Sequence, residues 1–407
     1  MLVAEKVKKY LSKKELSFAF IEISRRLSVN TELNTIKKFD FTSEELRLNL
    51  EKMAAWNVAK NRQISSITWV IPSFTQPFAG IANILSMANF FSQKNIIQQF
   101  VLIGDTLESK ICDINIKQGA YGKNLANARI LINPNIDEIP YSDISIATSW
   151  NTAFTILKFN NTKGKYYLIQ DDERLFYPAN TYFNLAGLTY YFGFIGITNS
   201  LELKKMYETE FNGKAIFYFP LPKKDFFNPQ KRANKKIKRV WFYARPRSDR
   251  NGFNLGMLAL QEIKHRHPEI QIYMNGEKAK KVKLFEFNDQ GIIRTTAELA
   301  KNFATYDVGL YILFSKHTGV IPFELMASKV VTLTNKRAYE TKLLVDGYNC
   351  IMGESTPSSL ADAFDRIYYN MELYKKILDN GYNTTKHTTQ QKEFKKVLNF
   401  IIGRNED

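Results

Sequence analysis

The chain has 407 residues, with 57 Lys and Arg against 40 Asp and Glu, a formal net charge of +17. That length exceeds what one hydrophobic core usually serves, so two domains are expected, and 44% hydrophobic with 14% aromatic residues excludes global disorder. The positive field attracts phosphorylated ligands, nucleic acid or an anionic membrane surface, although many lysines fall among Asn and Ile as a general composition bias would place them. Cys112 and Cys350 are too few and too far apart for a disulfide framework or a zinc site. The N-terminal MLVAEKVKKYLSKKELSFAF has no apolar segment followed by a small-residue cleavage site. No run approaches the roughly 20 apolar residues of a membrane span. The expected location is therefore the cytoplasm, with the inner face of the cell membrane as a docking surface.

In chain order, KVKKYL, ELSFAFIEISRRL and SEELRLNLEKMAAWNVAKN place apolar residues at three- and four-residue spacing, so residues 1–60 read as helical. This is a packed amphipathic layer or a membrane-surface helix. From Ile67 the pattern changes to alternating strands and helices. Ser66 to Pro72 is a strand, and Gly80 permits close backbone approach as the helix IANILSMANFF begins. Strands follow at Phe100 to Gly104, Ala128 to Asn133, Ile144 to Trp150 and Lys165 to Gln170, the last ending in Asp171-Asp172-Glu173. The helix ANTYFNLAGLTYY precedes a strand at Phe194 to Thr198, and Asn199 with Glu202 signals the start of another helix. Such alternation predicts a doubly wound parallel sheet.

Between Phe219 and Lys238 the periodicity fails and Pro220, Pro222 and Pro229 stand among charges, which marks a linker. The alternation then resumes, with strands at Arg239 to Ala244, Gln271 to Asn275, Val282 to Phe287 and Asp307 to Leu313. Helices are expected at FNLGMLALQEIKHR, TAELAKNF, the segment from Pro322, AYETKLLV, Pro357 to Leu378 and the last amphipathic segment. The fold class is α/β: two Rossmann-like halves with a cleft between them, where ligands of such proteins sit, plus an N-terminal helical segment.

Two stretches carry polar groups suited to chemistry. Ser315 to Ala327, SKHTGVIPFELMA, opens a helix at the carboxyl end of a buried strand, where ligands bind in open α/β sheets. Pro322 suits the first helical turn, the amides and dipole there favour an anion, and His317, Gly319 and Glu324 converge on that edge. Taken singly, His317 also reads as a surface histidine and Glu324 as a carboxylate complementing the dipole. The second stretch, YARPRSDRNG, follows the strand ending at Ala244 and places Arg245, Arg247 and Arg250 at the same edge. Arginine forks bind phosphate oxygens bidentately, so three within six residues suit a diphosphate, against the alternative of a solvated basic loop.

These features resemble the retaining GT-B glycosyltransferases of the large family-four group and, within it, the WsaF-type rhamnosyltransferases that build bacterial surface and S-layer glycans. The resemblance rests on Gln170-Asp171-Asp172-Glu173 with Phe176-Tyr177-Pro178, on FYARPRSDRNGFNLGMLAL, on AELA with YDVGLYI, and on SKHTGVIPFELMA followed by TNK. It covers most of the chain from about Ile67. It implies an acceptor domain over 61–222, on which the helical segment over 1–60 is expected to pack, a nucleotide-sugar donor domain over 223–384, and a C-terminal helix over 385–407 returning to the N-terminal domain. It implies transfer of L-rhamnose from dTDP-β-L-rhamnose to a growing surface glycan, free or lipid-linked, with no metal and no cofactor. Glu324 matches the family carboxylate that bonds the donor ribose, Arg245 the arginine facing the diphosphate, with Arg250 as a second phosphate ligand, and Gly80 the glycine turn facing the diphosphate from the acceptor side. Lys316 departs from the broad family, which carries there the first of two glutamates eight residues apart. The WsaF-type pattern also lacks that glutamate and has His in the place of His317.

Breaking a glycosyl-phosphate bond builds charge on the leaving diphosphate, which guanidinium groups, helix-start amides and a protonated His317 would stabilise. Asp171 and Glu173 are read as cleft residues shaping the acceptor site or the domain interface rather than as metal ligands, since no His accompanies them. Tyr177 is read with them as acceptor-binding; its aromatic neighbours Phe176, Tyr182 and Phe183 suit sugar stacking but equally suit a core. Two further functions stay open: a non-catalytic polyanion- or glycan-binding protein, and a hexosyltransferase using a UDP- or GDP-sugar. Nucleic acid is not an expected partner, because the aromatics are not interleaved with the charges.

Overall fold

The computed structural model describes residues 32–74, 79–118, 122–221, 227, 236–276, 284–293, 295–336, 343–387 and 389–404. The amphipathic segments before residue 32, most of the linker, Val282 and Lys283, and residues 338–342 of the helix expected after Asn335 lie outside the described residues. The chain divides into two compact units, Met1–Leu48 and Asn49–Asp407. The described part of the first holds a helical turn at residues 32–36 and the opening of α1 (Ser43–Val58). A capping box starts that helix: Thr42 Oγ1 accepts from the Glu45 amide at 3.1 Å, and Glu45 Oε2 accepts from the Thr42 amide at 2.7 Å.

The larger unit carries two parallel sheets. The first is built from β1 (Ser66–Pro72), α2 (Ala79–Ser92), β2 (Ile97–Ile103), α3 (Thr106–Lys117), β3 (Arg129–Ile132), β4 (Ser142–Ala147), α4 (Trp150–Lys158), β5 (Thr162–Ile169), α5 (Thr181–Thr189), β6 (Ile195–Thr198), α6 (Leu201–Glu210) and β7 (Lys214–Phe217). Its strand order is β3-β2-β1-β4-β5-β6-β7. The second contains β8 (Arg239–Ala244), α7 (Phe253–Arg266), β9 (Gln271–Gly276), β10 (Asn288–Asp289), α8 (Thr296–Phe303), β11 (Val308–Tyr311), α9 (Ile321–Ala327), β12 (Val331–Asn335), β13 (Ile351–Gly353), α10 (Pro357–Tyr368) and α11 (Met371–Thr384), in the order β10-β9-β8-β11-β12-β13. The last helix is α12 (Gln390–Ile402).

Helices cover both faces of each sheet, so the central strands read as continuous apolar runs. All six residues of β4 and all four of β11 are buried, and Ile67 pairs with Ile144 where β1 meets β4. One core gathers Ile67, Trp69, Phe91, Phe100, Ile144 and Tyr166; the other gathers Val240, Phe242, Leu260, Leu310 and Phe364. Met53 of α1 and Phe394, Val397 and Ile401 of α12 belong to the first core. Trp56 Nε1 donates to the Tyr166 hydroxyl at 3.1 Å, and Arg62 is bound by the carbonyls of Ile401 and Ile402.

Three elements differ from the sequence reading. Strand β7 was not expected, because KAIF is short and runs into a proline-bearing segment; it is an edge strand, pairing with β6. The helix expected from Pro357 to Leu378 is two helices. Asn370 separates them, its side chain accepting from the Leu373 amide at 3.0 Å as the cap of α11. The strand expected to end at Phe287 is instead the short β10 that follows it, and Leu284 to Phe287 are not in a strand.

Lys165, in the middle of β5, is fully buried, and its ammonium donates to the Leu157 carbonyl at 2.8 Å and to Asn160 Oδ1 at 3.2 Å, closing the carboxyl end of α4. Burial, with Lys52 nearby, lowers its pKa to about 7. Between that value and the ordinary lysine range the unfolded chain binds more protons than the folded one, so this residue makes stability rise with pH from about 7 to 10. Urea titrations across that range should show a shallower rise for Lys165→Met than for the parent.

Candidate active site at the facing carboxyl edges

In an open parallel sheet, ligands bind outside the carboxyl ends of the strands, where the strand order reverses. In the second sheet that point lies between β8 and β11. The segments leaving these strands are Arg245–Gly252 and Ile312–Val320, the two stretches singled out in the sequence. They pack on each other: the Phe314 amide donates to the Arg250 carbonyl at 2.8 Å, and Gly252, in the left-handed region at φ +56, leaves no room for a side chain beside Ile312. In the first sheet the reversal lies between β1 and β4. Gly80, in the first turn of α2, is held from the neighbouring β5: Gln170 Nε2 donates to its carbonyl at 3.2 Å, while Gln170 Oε1 accepts from Asn83 at 3.0 Å.

The carboxyl edges of the two sheets meet at Asp171, just past β5. Its buried carboxylate faces three groups of the second sheet's loops. Arg250 Nε lies 2.9 Å from Oδ2, His317 Nε2 lies 3.1 Å from the same oxygen, and the Ser315 hydroxyl donates to Oδ1. The Asp172 amide also donates to Oδ1 at 2.8 Å. Next to it, Asp172 takes a bidentate pair from Arg174 at 2.8 and 2.7 Å, and Lys316 Nζ sits 2.8 Å from Glu210 and 3.6 Å from Asp172. The Ser200 hydroxyl donates to the Lys316 carbonyl at 3.2 Å. Thus Ser315, Lys316 and His317 all dock on the acidic end of β5 and on α6.

Three of the sequence candidates, Asp171, Arg250 and His317, are therefore in direct contact. Arg250, read as a phosphate ligand, is here paired with Asp171, and its guanidinium lies 4.2 Å over the Phe176 ring. Arg245 stacks over Tyr243 at 5.7 Å, and Arg247 is exposed on the same loop. Glu173 lies away from the solvent-facing cleft: it is 3% exposed, with Oε2 accepting from the Trp150 amide at the start of α4 and its own amide 2.9 Å from the Tyr190 hydroxyl. Burial first, then the charges of Asp171 and Asp172, push its carboxyl up to about 8. Tyr177 joins an aromatic group with Trp150 and Tyr182, its hydroxyl accepting from Trp150 Nε1 at 3.1 Å and its ring stacked on Tyr182.

Glu324 lies in the first turn of α9, after Pro322. Among the described residues its side chain makes no hydrogen bond or ion pair, and desolvation pushes its carboxyl up to about 7. Gly319 adopts φ +72, and a side chain there would strike the Tyr311 hydroxyl. Its amide donates to His317 Nδ1 at 2.9 Å. Gly319→Ala should cost about 1–2 kcal/mol from backbone strain and this clash. Chemical denaturation measures it, and an unchanged midpoint would refute the assignment.

Ser315, Gln170 and Glu210 belong to this network but were not among the expected site residues. Gln170 and Ser315 stood inside the motifs that carried the resemblance; Glu210, at the end of an ordinary amphipathic helix, gave no signal. Among the described residues no three His, Cys, Asp or Glu groups are placed to share a metal ion, and no helix is long and apolar enough to cross a membrane.

Comparison with known proteins agrees with this architecture. Residues 238–365 match the family model of the WsaF C-terminal domain. The O-antigen biosynthesis protein RfbC of Myxococcus xanthus is 27% identical over 378 residues, covering 90% of this chain but 29% of its own length, so the chain spans less than a third of that relative. Anabaena HepE, solved with UDP-glucose, superposes with a TM-score of 0.65 at 12% identity, covering 83% of this chain and 99% of its own. A TarM variant from S. aureus, solved with fondaparinux, alpha-GlcNAc-glycerol and UDP, gives a TM-score of 0.65 at 9% identity, covering 83% and 100%. The chain thus has the GT-B fold, and the residues that match the WsaF C-terminal family model carry the strands of its second sheet.

Proposed function

We propose that the chain is a glycosyltransferase of surface-polysaccharide assembly, moving L-rhamnose from dTDP-β-L-rhamnose to a glycan acceptor with retention and without a metal. The observation that carries this is the placement of Arg245–Gly252 and Ile312–Val320 on either side of the second sheet's reversal point, with the carboxyl of Glu324, unpaired among the described residues, beside them. In this reading residues 223–384 bind the donor. Glu324 accepts a hydrogen bond from the 3′-hydroxyl of the deoxyribose, and Arg245 and Arg247 face the diphosphate. The leaving diphosphate gains charge in an oxocarbenium-like transition state, and fixed guanidinium groups stabilise it without reorganisation. Residues 61–222 present the acceptor beside Asp171 and the Phe176–Tyr177 aromatic group. The acceptor is lipid-linked in this reading, and the charge of +17 draws the protein to the anionic inner membrane face.

A thermal-shift titration with dTDP, UDP, GDP and a nucleic acid control tests the reading, because a ligand of the native state raises stability by mass action. Selective stabilisation by dTDP, lost in Glu324→Ala, supports it. UDP as the effective nucleotide would favour a hexosyltransferase of the kind suggested by the UDP-bound HepE and TarM structures. No response to any nucleotide would refute the donor site.

A further inference from the structure

The contacts of Asp171 are unusual in their direction. One carboxylate of the first sheet receives Arg250, Ser315 and His317 from the second, and those residues sit on the two loops that flank the second sheet's reversal point. The His317 ring is held from both sides. Nδ1 accepts from the Gly319 amide at 2.9 Å, so in this arrangement the hydrogen resides on Nε2, which is the nitrogen 3.1 Å from Asp171 Oδ2. Gly319 alone would leave the ring able to pivot about that one bond; Asp171 fixes the second point. The same oxygen meets Arg250 Nε, and that guanidinium plane rests on the Phe176 ring, also from the first sheet.

We propose that Asp171 is a positioning residue, which rests on the donor-site reading above: by bridging the two sheets it sets the tautomer and ring orientation of His317 and the direction of the Arg250 guanidinium, so that the donor-side loops take up their working geometry only when both halves are engaged. The chemistry parallels the way a buried carboxylate orients an imidazole elsewhere, fixing which nitrogen carries the proton while taking no part in the bond change itself. Arg250 is on this account a strut between the halves rather than a free phosphate ligand. Asp172, one residue on, is the internal contrast: its two short bonds go to Arg174 within its own half, and its contact with the other half is Lys316 Nζ at 3.6 Å.

Imidazole nitrogen NMR on 15N-labelled protein tests this without requiring turnover, with the His317 signals assigned from their loss in His317→Gln. The expected parent spectrum shows a single tautomer, protonated at Nε2. In Asp171→Ala the two nitrogens should move toward exchange-averaged values, and in Asp172→Asn they should stay where they are. A parent ring that already averages between tautomers, or a fixed ring that survives in Asp171→Ala, would overturn the proposal. A fixed parent ring with no dTDP stabilisation would overturn the donor reading and leave the positioning role standing. Where the parent releases dTDP from dTDP-β-L-rhamnose, Asp171→Ala should lower kcat about 100-fold with donor KM changed less than about threefold, since misplacing a group costs turnover more than binding. A rise in KM with kcat intact would overturn the proposal.

Discussion

Nucleotide affinity is expected to rise about tenfold between pH 6 and pH 8, and to lose both its strength and its pH dependence in Glu324→Gln. The carboxyl of Glu324 has its pKa raised to about 7 because desolvation penalises the charged form and no described side chain pairs with it. The deoxyribose 3′-hydroxyl is a donor, and a carboxylate accepts from it better than a neutral acid does. The ionised fraction passes from about one tenth to about nine tenths across that range, which sets the tenfold figure. Glu324→Ala should lower affinity about 10- to 100-fold at pH 8, the loss of one charge-assisted hydrogen bond to the deoxyribose 3′-hydroxyl. Isothermal titration with dTDP at several pH values measures both effects. Equal affinity at pH 6 and pH 8 in the parent would remove Glu324 from the donor site.

The second large effect is on stability. Glu173→Gln should make the protein more resistant to urea at pH 8 by up to ~4 kcal/mol, with little change near pH 5. The sign follows from the raised pKa of about 8 in the folded chain. The folded state holds the Glu173 proton that the unfolded state has already released, so stability is highest below the ordinary carboxyl range and falls as pH climbs toward 8. Glutamine keeps an oxygen for the Trp150 amide and never ionises. Parallel pH dependence of the two proteins would show that Glu173 is not buried as a neutral acid.

Much of the architecture was legible because a buried parallel strand is written as an apolar run: RVWFYA and SITWVIP define β8 and β1 to the residue. The two loops at the second reversal point were legible for the same reason, since each had to follow such a strand. What the sequence withheld was pairing at a distance. Asp171 and Ser315 are separated by 144 positions, and no local pattern announces that an acidic strand end in one half is bound by a basic loop in the other. Arg250 read as a phosphate ligand because its charge was visible while Asp171 across the seam was not. Glu173 read as a cleft residue because carboxylates are ordinarily hydrated, and only the fold shows it enclosed by Trp150 and Tyr190. The break at Asn370 escaped because hydrophobic periodicity continues across it.

The return of α12 to the first core has a mechanical consequence. The chain crosses between the halves twice, once after Leu221 and again after Thr384, and the second crossing is anchored by Phe394, Val397 and Ile401. A body joined to another by one strand can swivel in any sense, whereas two separated attachments confine it largely to rotation about the line between them. The seam at Asp171 can then open and shut like a book while its residues return to the same partners. For the same reason, a protease cut in the 222–235 segment alone should leave a nicked protein that still migrates as one particle on gel filtration, separating only when denatured.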